Sequence, residues 1–524
     1  MIFVGVATIA TTLLQGIVSA ALAAGEISTL PVHGFSNIPL DDRRYRWIER
    51  NAVADAPLDL LTNRPVSLIN YLNFDRQSSN DSGYVHPVGS RRLRWMKGNW
   101  RAYEYNNTNG SSFTLDPRFT FRMDIGERKT ILRRASGIQF YGSIREHLGY
   151  YFRFADNTER GNGPYTQRDQ LLEDHAGYVG PLMGGKETYY DATEAYLNWG
   201  RDWINVTFGK DKVSWGPGRH TNLLLSDNAP SFDQLRIKTR LGNSSQFTYL
   251  VGKLHPTAGL RGDTLYRTSG GWERISVEPK WISAHRLEYA PASWLLLSVS
   301  EAIIWGERGL DAAYLNPLYF LYSAQHDGGD RDNVAMSGDF VARLPFQGIF
   351  YGALLIDDMK ISKLGKGEAG NKFGLLAGVF ATDAYFPNLD VGMEYTRLEP
   401  YVYSHFFPIN RYSNWNSSLG ADLSPNSDRL EFTLRFKPTF DFTINLAGSF
   451  NRRGTVGGTV EESIPRGDSR KVKFLDGSRD SWRSAQLGVE WEAIPGGVIE
   501  IGAITGERQS IVPDRWYFSI GYRI

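Results

Sequence analysis

The chain has no cysteine among its 524 residues, so it is not a disulfide scaffold. It also lacks a charge excess. With 58 basic against 57 acidic side chains, bulk charge gives no reason to expect a polyanion, and nucleic acid is not an expected partner. Apolar runs of spanning length are missing beyond the first 24 residues: the longest, Trp294 to Ile304, is broken by Ser298, Ser300 and Glu301 and falls short of the roughly 18 residues a membrane helix needs. Helical membrane architecture is thereby excluded.

What is present is an apolar opening segment, many aromatics and many glycines. Residues 1–24 end in Ala21-Leu22-Ala23-Ala24, a small-residue pattern suited to a signal peptidase, and read as a signal peptide for export. No Lys or Arg precedes the apolar run, so a retained anchor is the other reading of this segment. The 14 Trp, 27 Tyr, 28 Phe and 54 Gly suit the aromatic girdles and many turns of a barrel. A mean hydropathy of −0.35 does not argue against this, because one face of every barrel strand is polar.

Residues 25–110 are expected to form a periplasmic helical module and lead-in. Pro39-Leu40-Asp41-Asp42 resembles a helix start, Tyr45, Ile48 and Ala52 recur at helical spacing, and Pro65 to Phe74 is a second short candidate. Two such helices are too small a unit to fold alone, which makes them a candidate plug. From 111 to 524 the pattern is strands. Leu430, Phe432, Leu434 and Phe436 alternate with Glu431, Thr433, Arg435 and Lys437, and Ala485, Leu487, Val489 and Trp491 alternate with Ser484, Gln486, Gly488 and Glu490.

A soluble β-sandwich also alternates, but these strands are longer and their connections follow a short-long rhythm. Long connections are expected at 157–192, 212–231, 255–280, 306–333, 358–371, 403–427 and 452–481, with shorter ones on the same side near 125–136 and 508–513. Counting the segments between them predicts an all-β, antiparallel transmembrane barrel of about 18 strands. Its inward row would include Arg236, Lys238, Arg240, Glu431, Arg435, Glu490 and Arg523.

The stretch Trp215 to Phe232 interrupts two clean strands. Pro217 and Pro230 cannot feed a ladder, and Gly216 and Gly218 permit positive φ, so it reads as a fixed external loop. Aromatics including Trp215, Tyr266, Trp272, Tyr314, Tyr319, Phe320, Tyr322, Tyr412 and Trp415 are interleaved with polar residues in the loops, a surface on which sugar rings stack. Girdle or loop-core packing is the ordinary role of any one of them. His175, His220 and His326 lie in loops near acids without a serine elbow, so no enzyme is expected. Asp327, Asp330 and Asp332 with Asp357-Asp358 could attract a hard cation, but a solvated acidic loop explains them better, and neither a metal nor a cofactor is expected. Gly365 to Gly370 reads as a loop rather than a phosphate cradle.

Trp215-Gly216-Pro217-Gly218, Leu224 to Pro230, Asn316-Pro317, Asp332-Asn333 with Asp339, Tyr351-Gly352, Leu355 to Asp358, Leu419-Gly420 and Asp428-Arg429 follow in an order that resembles the Wzi capsule-assembly family. The start around Ile38 to Asp41 is similar too. The resemblance implies an 18-stranded outer-membrane barrel with a helical plug, acting as a lectin that helps attach capsular polysaccharide to the cell. Its other expected partners are outer-membrane lipid and the barrel-assembly machinery. Ile524 departs from the usual terminal aromatic. Trp215, Arg219, Asp227, Asn228, Asp332, Asn333 and Asp358 are the expected glycan-binding residues, with Trp215 shaping the loop. A substrate-selective sugar porin is the competing reading.

Overall fold

Antiparallel pairing runs from each strand to the next and closes on itself. In the computed structural model the wall begins with β1 (Ser112–Gly126), β2 (Lys129–Ile144), β3 (Leu148–Arg160), β4 (Glu187–Arg201), β5 (Ile204–Asp211) and β6 (Phe232–Arg240). It continues through β7 (Ser245–Leu254), β8 (Lys280–Ala292), β9 (Leu295–Gly306), β10 (Asn333–Leu344), β11 (Gly348–Asp358) and β12 (Lys372–Ala381). The last six are β13 (Leu389–Leu398), β14 (Ser427–Phe436), β15 (Phe442–Gly454), β16 (Arg479–Ile494), β17 (Gly497–Thr505) and β18 (Arg515–Tyr522). β18 returns to β1, pairing Tyr522 with Phe119 and Trp516 with Ile125, so the 18 strands form a closed barrel. The short strand Tyr103–Asn106 also pairs with β1, at Ser112 to Leu115.

The described residues are 50, 53, 58–64, 102–107, 111–126, 129–145, 147–161, 187–201, 203–256, 264–267, 273–358, 369–415, 417–439, 441–464, 471–494, 496–508 and 513–522. The expected signal peptide, most of the expected helical module, His175, the side chains of Tyr266 and Trp272, Gly365 to Glu368, Arg523 and Ile524 lie outside them. Among the described residues no helix is long and apolar enough to cross a membrane; the strands do the crossing.

The connections alternate as expected. Those on one rim are short, such as 202–203, 293–294 and 345–347, and those on the other include 212–231, 255–279, 307–332, 399–426 and 455–478. The 212–231 connection has the predicted bounds. The first long-side connection is only 127–128, shorter than expected, because β1 and β2 stay paired as far as Gly126 and Lys129.

The outer face presents Phe119, Leu197, Phe208, Val299, Phe432, Leu487 and Ile501 to the surroundings, a row of exposed apolar side chains that only lipid makes favourable. Exposed Trp203, Trp294, Phe346 and Tyr385 sit in the short turns and mark an aromatic girdle at that rim.

The inner face is divided. β1 to β6 and β14 to β18 turn polar side chains inward, among them Asp116, Asp124, Asn198, Arg236 and Glu490. From β7 to β13 much of the inward row is apolar, with Leu250, Ile282, Ala302, Ile304, Ala335, Leu355, Leu376 and Leu398 all buried in one cluster. An apolar lumenal wall needs something to cover it.

Candidate functional site

The cover comes from two long connections and a piece of the N-terminal region. Trp215, Leu223, Leu224 and Leu225 of the 212–231 loop join Tyr403, Tyr412 and Leu419 of the 399–426 loop in the same cluster as the apolar wall, with Val53, Leu58 and Leu61 beside them. Both loops are long-side connections that fold into the lumen. Ser226 N donates to Leu419 O at 2.7 Å, Asn228 Nδ2 to Ser418 O at 3.0 Å, and Asn414 Nδ2 to Pro230 O at 2.9 Å, which locks the loops together.

Residues 58–64 meet this plug from the other side. Asn63 pairs with Trp215 and Arg64 with Ser214 in a short antiparallel strand. Thr62 Oγ1 and Asn63 Nδ2 donate to Glu288 on the inner wall at 2.6 and 2.8 Å, and Lys238 Nζ donates to Asn63 O at 2.8 Å. Glu288 itself is held by Arg286, whose guanidinium also grips Asp339 at 2.7 and 2.8 Å. A buried network of this kind fixes position, since each charge left alone in the interior would be costly.

Glycine and strain mark the closest approaches. A Cβ on Gly218 would stand 1.7 Å from Thr221 O and 2.9 Å from Leu376 of β12, so only glycine lets the loop tip press on that wall. Tyr401 and Tyr403 both adopt left-handed backbone, with φ of 66° and 67°, a conformation that persists where surrounding contacts overdetermine it.

The expected glycan-binding residues fall at different depths in this packing. Trp215 is 1% exposed and belongs to the plug core. The Arg219 guanidinium lies 3.4 Å from the centroid of the Phe380 ring, and its backbone N–H donates to Glu394 at 2.8 Å, so it braces the loop against β12 and β13. Asp332 is buried and accepts from Tyr314 Oη at 2.7 Å and Arg308 Nη1 at 3.0 Å, while Asn333 donates to Asn410 O at 2.8 Å. These four help hold the loops in place: Trp215 by burial, Arg219 by its contact with the Phe380 ring, and Asp332 and Asn333 by hydrogen bonds inside the protein. Asp227 and Asp358 are exposed and Asn228 is half-buried.

The acidic cluster is likewise split. Asp327 takes Tyr319, Asp332 takes Arg308, and Asp357 takes Lys372 at 3.4 Å; among the described residues no group of three His, Asp or Glu is placed to hold a metal. His220 pairs with Glu431 at 3.2 Å and His326 Nδ1 lies 2.7 Å from Tyr322 O.

The plug covers the apolar half of the lumen and leaves a recess along the polar half. An open cleft of about 1020 Å³, its mouth included, lies at the long-loop ends of β14 to β17. Strand alternation turns Arg429 and Glu431 of β14, Ser449, Asn451 and Arg453 of β15, and Trp482, Ser484 and Gln486 of β16 into it, and Asp422 and Arg508 stand at its edge. Arg429 holds Asp422 with two contacts of 2.9 Å. Ser449 and Ser484 share a 2.7 Å hydrogen bond, and Asn451 donates to Ser449 at 2.7 Å. The Arg508 guanidinium lies 5.9 Å from the Trp482 ring centroid.

A half-exposed indole beside hydroxyls, amides and guanidinium groups offers a stacking face together with planar donors and acceptors, the combination that holds a polyhydroxylated ring. In the sequence Glu431, Ser484 and Gln486 figured only as alternating strand positions and Arg429 only in the family resemblance, while Ser449, Asn451, Arg453, Trp482 and Arg508 drew no notice.

Comparison with known proteins places this architecture. No curated relative matches the sequence. The solved structure of Wzi from Escherichia coli, described as an outer-membrane, carbohydrate-binding β-barrel involved in group 1 capsule assembly, is similar with a TM-score of 0.53 at 12% identity, covering 93% of this chain and all of that one. OpdK from Pseudomonas aeruginosa, solved with vanillate, has a TM-score of 0.45 at 8% identity, covering 79% of this chain and 98% of its own. The family described as capsule assembly protein Wzi matches residues 101–453, most of the barrel and the lead-in to it. With that match over more than half of its length, the chain belongs to the Wzi capsule assembly family.

Proposed function

We propose that this protein is a non-enzymatic outer-membrane barrel that binds capsular or other surface polysaccharide and helps assemble or retain it at the cell surface. The cleft at the outer ends of β14 to β17 is the binding site. The observation that carries this reading is the division of the lumen: the plug is seated on apolar wall, and the polar, Trp482-bearing wall is left open on the long-loop side. Residues 1–24 direct export and are removed, and the barrel-assembly machinery inserts the mature chain.

In the cleft, Trp482 supplies the stacking face, Arg453 and Arg508 meet acidic substituents, and Ser484, Gln486 and Asn451 meet hydroxyls. Asp227, Asn228 and Asp358 are accessible secondary contacts. A capsule-retention assay on cells carrying Trp482→Ala, beside the Asp227→Ala, Asn228→Ala double variant, tests the assignment. Loss of retained polysaccharide with Trp482→Ala at normal barrel levels is expected, and retention equal to wild type would remove the cleft from consideration.

A further inference from the structure

The 307–332 connection meets the plug at Arg331, whose carbonyl accepts from Asn410 Nδ2 at 3.0 Å, but its apolar residues pack in a separate cluster. Its two short helices, α1 (Ala312–Leu315) and α2 (Leu321–Asp327), lie against the outside of the barrel. The outward row of β9 is Leu295, Leu297, Val299, Glu301, Ile303 and Trp305; Val299 is 60% exposed, whereas Ile303 and Trp305 are fully covered by Tyr314, Leu321 and Ala324.

The hairpin also pairs with several polar groups of that outer wall. Leu321 N and Tyr322 N donate to the two carboxylate oxygens of Glu301 at 2.9 and 2.6 Å, and His285 Nε2 lies 2.9 Å from the same group. Trp281 Nε1 donates to Arg308 O at 3.2 Å, Trp305 Nε1 to Gly309 O at 3.1 Å, and Tyr249 Oη to Leu315 O at 3.2 Å. Such pairing lowers the cost of placing these groups beside hydrocarbon. Meanwhile the free side of the hairpin exposes Leu310, Leu315, Leu318 and Phe320, with Leu318 at 87%.

Height along β9 places this edge. Trp294 marks the short-turn girdle, and at about 3.3 Å per residue with a tilt of about 40° the rise to Glu301 is roughly 18 Å and to Trp305 roughly 28 Å, against an apolar band of about 25 Å. The hairpin therefore covers the upper part of the lipid-facing belt and is continuous with exposed Leu297 and Val299.

We propose that residues 307–332 form a membrane-interface element whose apolar edge, Leu315, Leu318 and Phe320, is covered by acyl chains of the outer leaflet. This does not depend on glycan binding. Because the chain has no cysteine, Leu318→Cys gives a single site for a nitroxide in lipid vesicles, with Val299→Cys as the lipid reference and Glu462→Cys, in the 455–478 connection, as the water reference. Collision with oxygen relative to a water-soluble nickel chelate should exceed that at Glu462 several-fold and stay at or below that at the deeper Val299, and a second label at Leu310→Cys should agree. A ratio equal to that at Glu462 would overturn the proposal. So would dipolar broadening between labels, which would mean that a second copy of the chain covers this edge.

Discussion

The Tyr403 hydroxyl donates to the Leu223 carbonyl at 2.5 Å, tying together two loops whose residues are 180 positions apart. The same oxygen accepts from Ala421 N at 3.0 Å, and burial holds the phenol far above its usual pKa, so the proton stays on the donor. Tyr403→Phe leaves both backbone groups buried without this partner, at about 1–3 kcal/mol each. In planar bilayers the wild type should pass little current, and Tyr403→Phe should open more often. A wild type conducting as an unobstructed barrel of this strand number would contradict the plug and favour the porin.

The inner-wall network should be the most sensitive place to remove a charge. Arg286, 1% exposed, is balanced by Asp339 and Glu288, and Glu288 in turn anchors Thr62 and Asn63. Asp339→Ala is expected to cost about 3–5 kcal/mol through the uncompensated guanidinium. A lowered temperature for the folded-to-unfolded gel shift reads this, with Asp339→Asn falling in between. An unshifted transition would show that the network is not holding the wall.

Docking of the 399–426 loop should weaken in mild acid. Burial, followed by the Lys372 ammonium, pushes the His405 imidazole from 6.5 down to about 4. Between those values the undocked loop binds a proton that the docked loop refuses. The stabilisation is therefore complete above about pH 6.5 and is lost progressively as pH falls toward about 4. Protease cleavage within 399–426 should be faster at about pH 4.5 than at about pH 7.5, and His405→Gln should reduce that difference. Equal acid sensitivity in the variant would assign the effect to other groups.

The wall was readable because its signal is local. Alternation such as Leu430 to Lys437 and turn residues such as Lys437-Pro438-Thr439 report strands and ends directly, and the bounds of the 212–231 connection follow from them. The direction in which a loop folds has no such code: Trp215, expected to shape an external loop, sits in the plug core, and Arg219, expected to meet sugar, lies over the Phe380 ring of the lumenal wall. Two signals did exist. Leu223-Leu224-Leu225 is an apolar run that an exposed loop would not keep, and Ala302-Ile303-Ile304-Trp305 is apolar on both faces, which means cover on both sides: the plug within and the hairpin without. The cleft was hidden for another reason. Asn451, Arg453, Trp482 and Arg508 are brought together only by strand pairing, such as Asn451 with Trp482 across β15 and β16.

The most direct test is binding of the producing cell's own purified surface polysaccharide to the protein in lipid nanodiscs, wild type beside a Trp482→Ala, Arg453→Ala double variant. The expected result is saturable binding by wild type that falls about tenfold or more in the variant, equivalent to about 1.4 kcal/mol or more, with bilayer conductance unchanged. No binding by the wild type, or equal binding by the variant, would contradict the account.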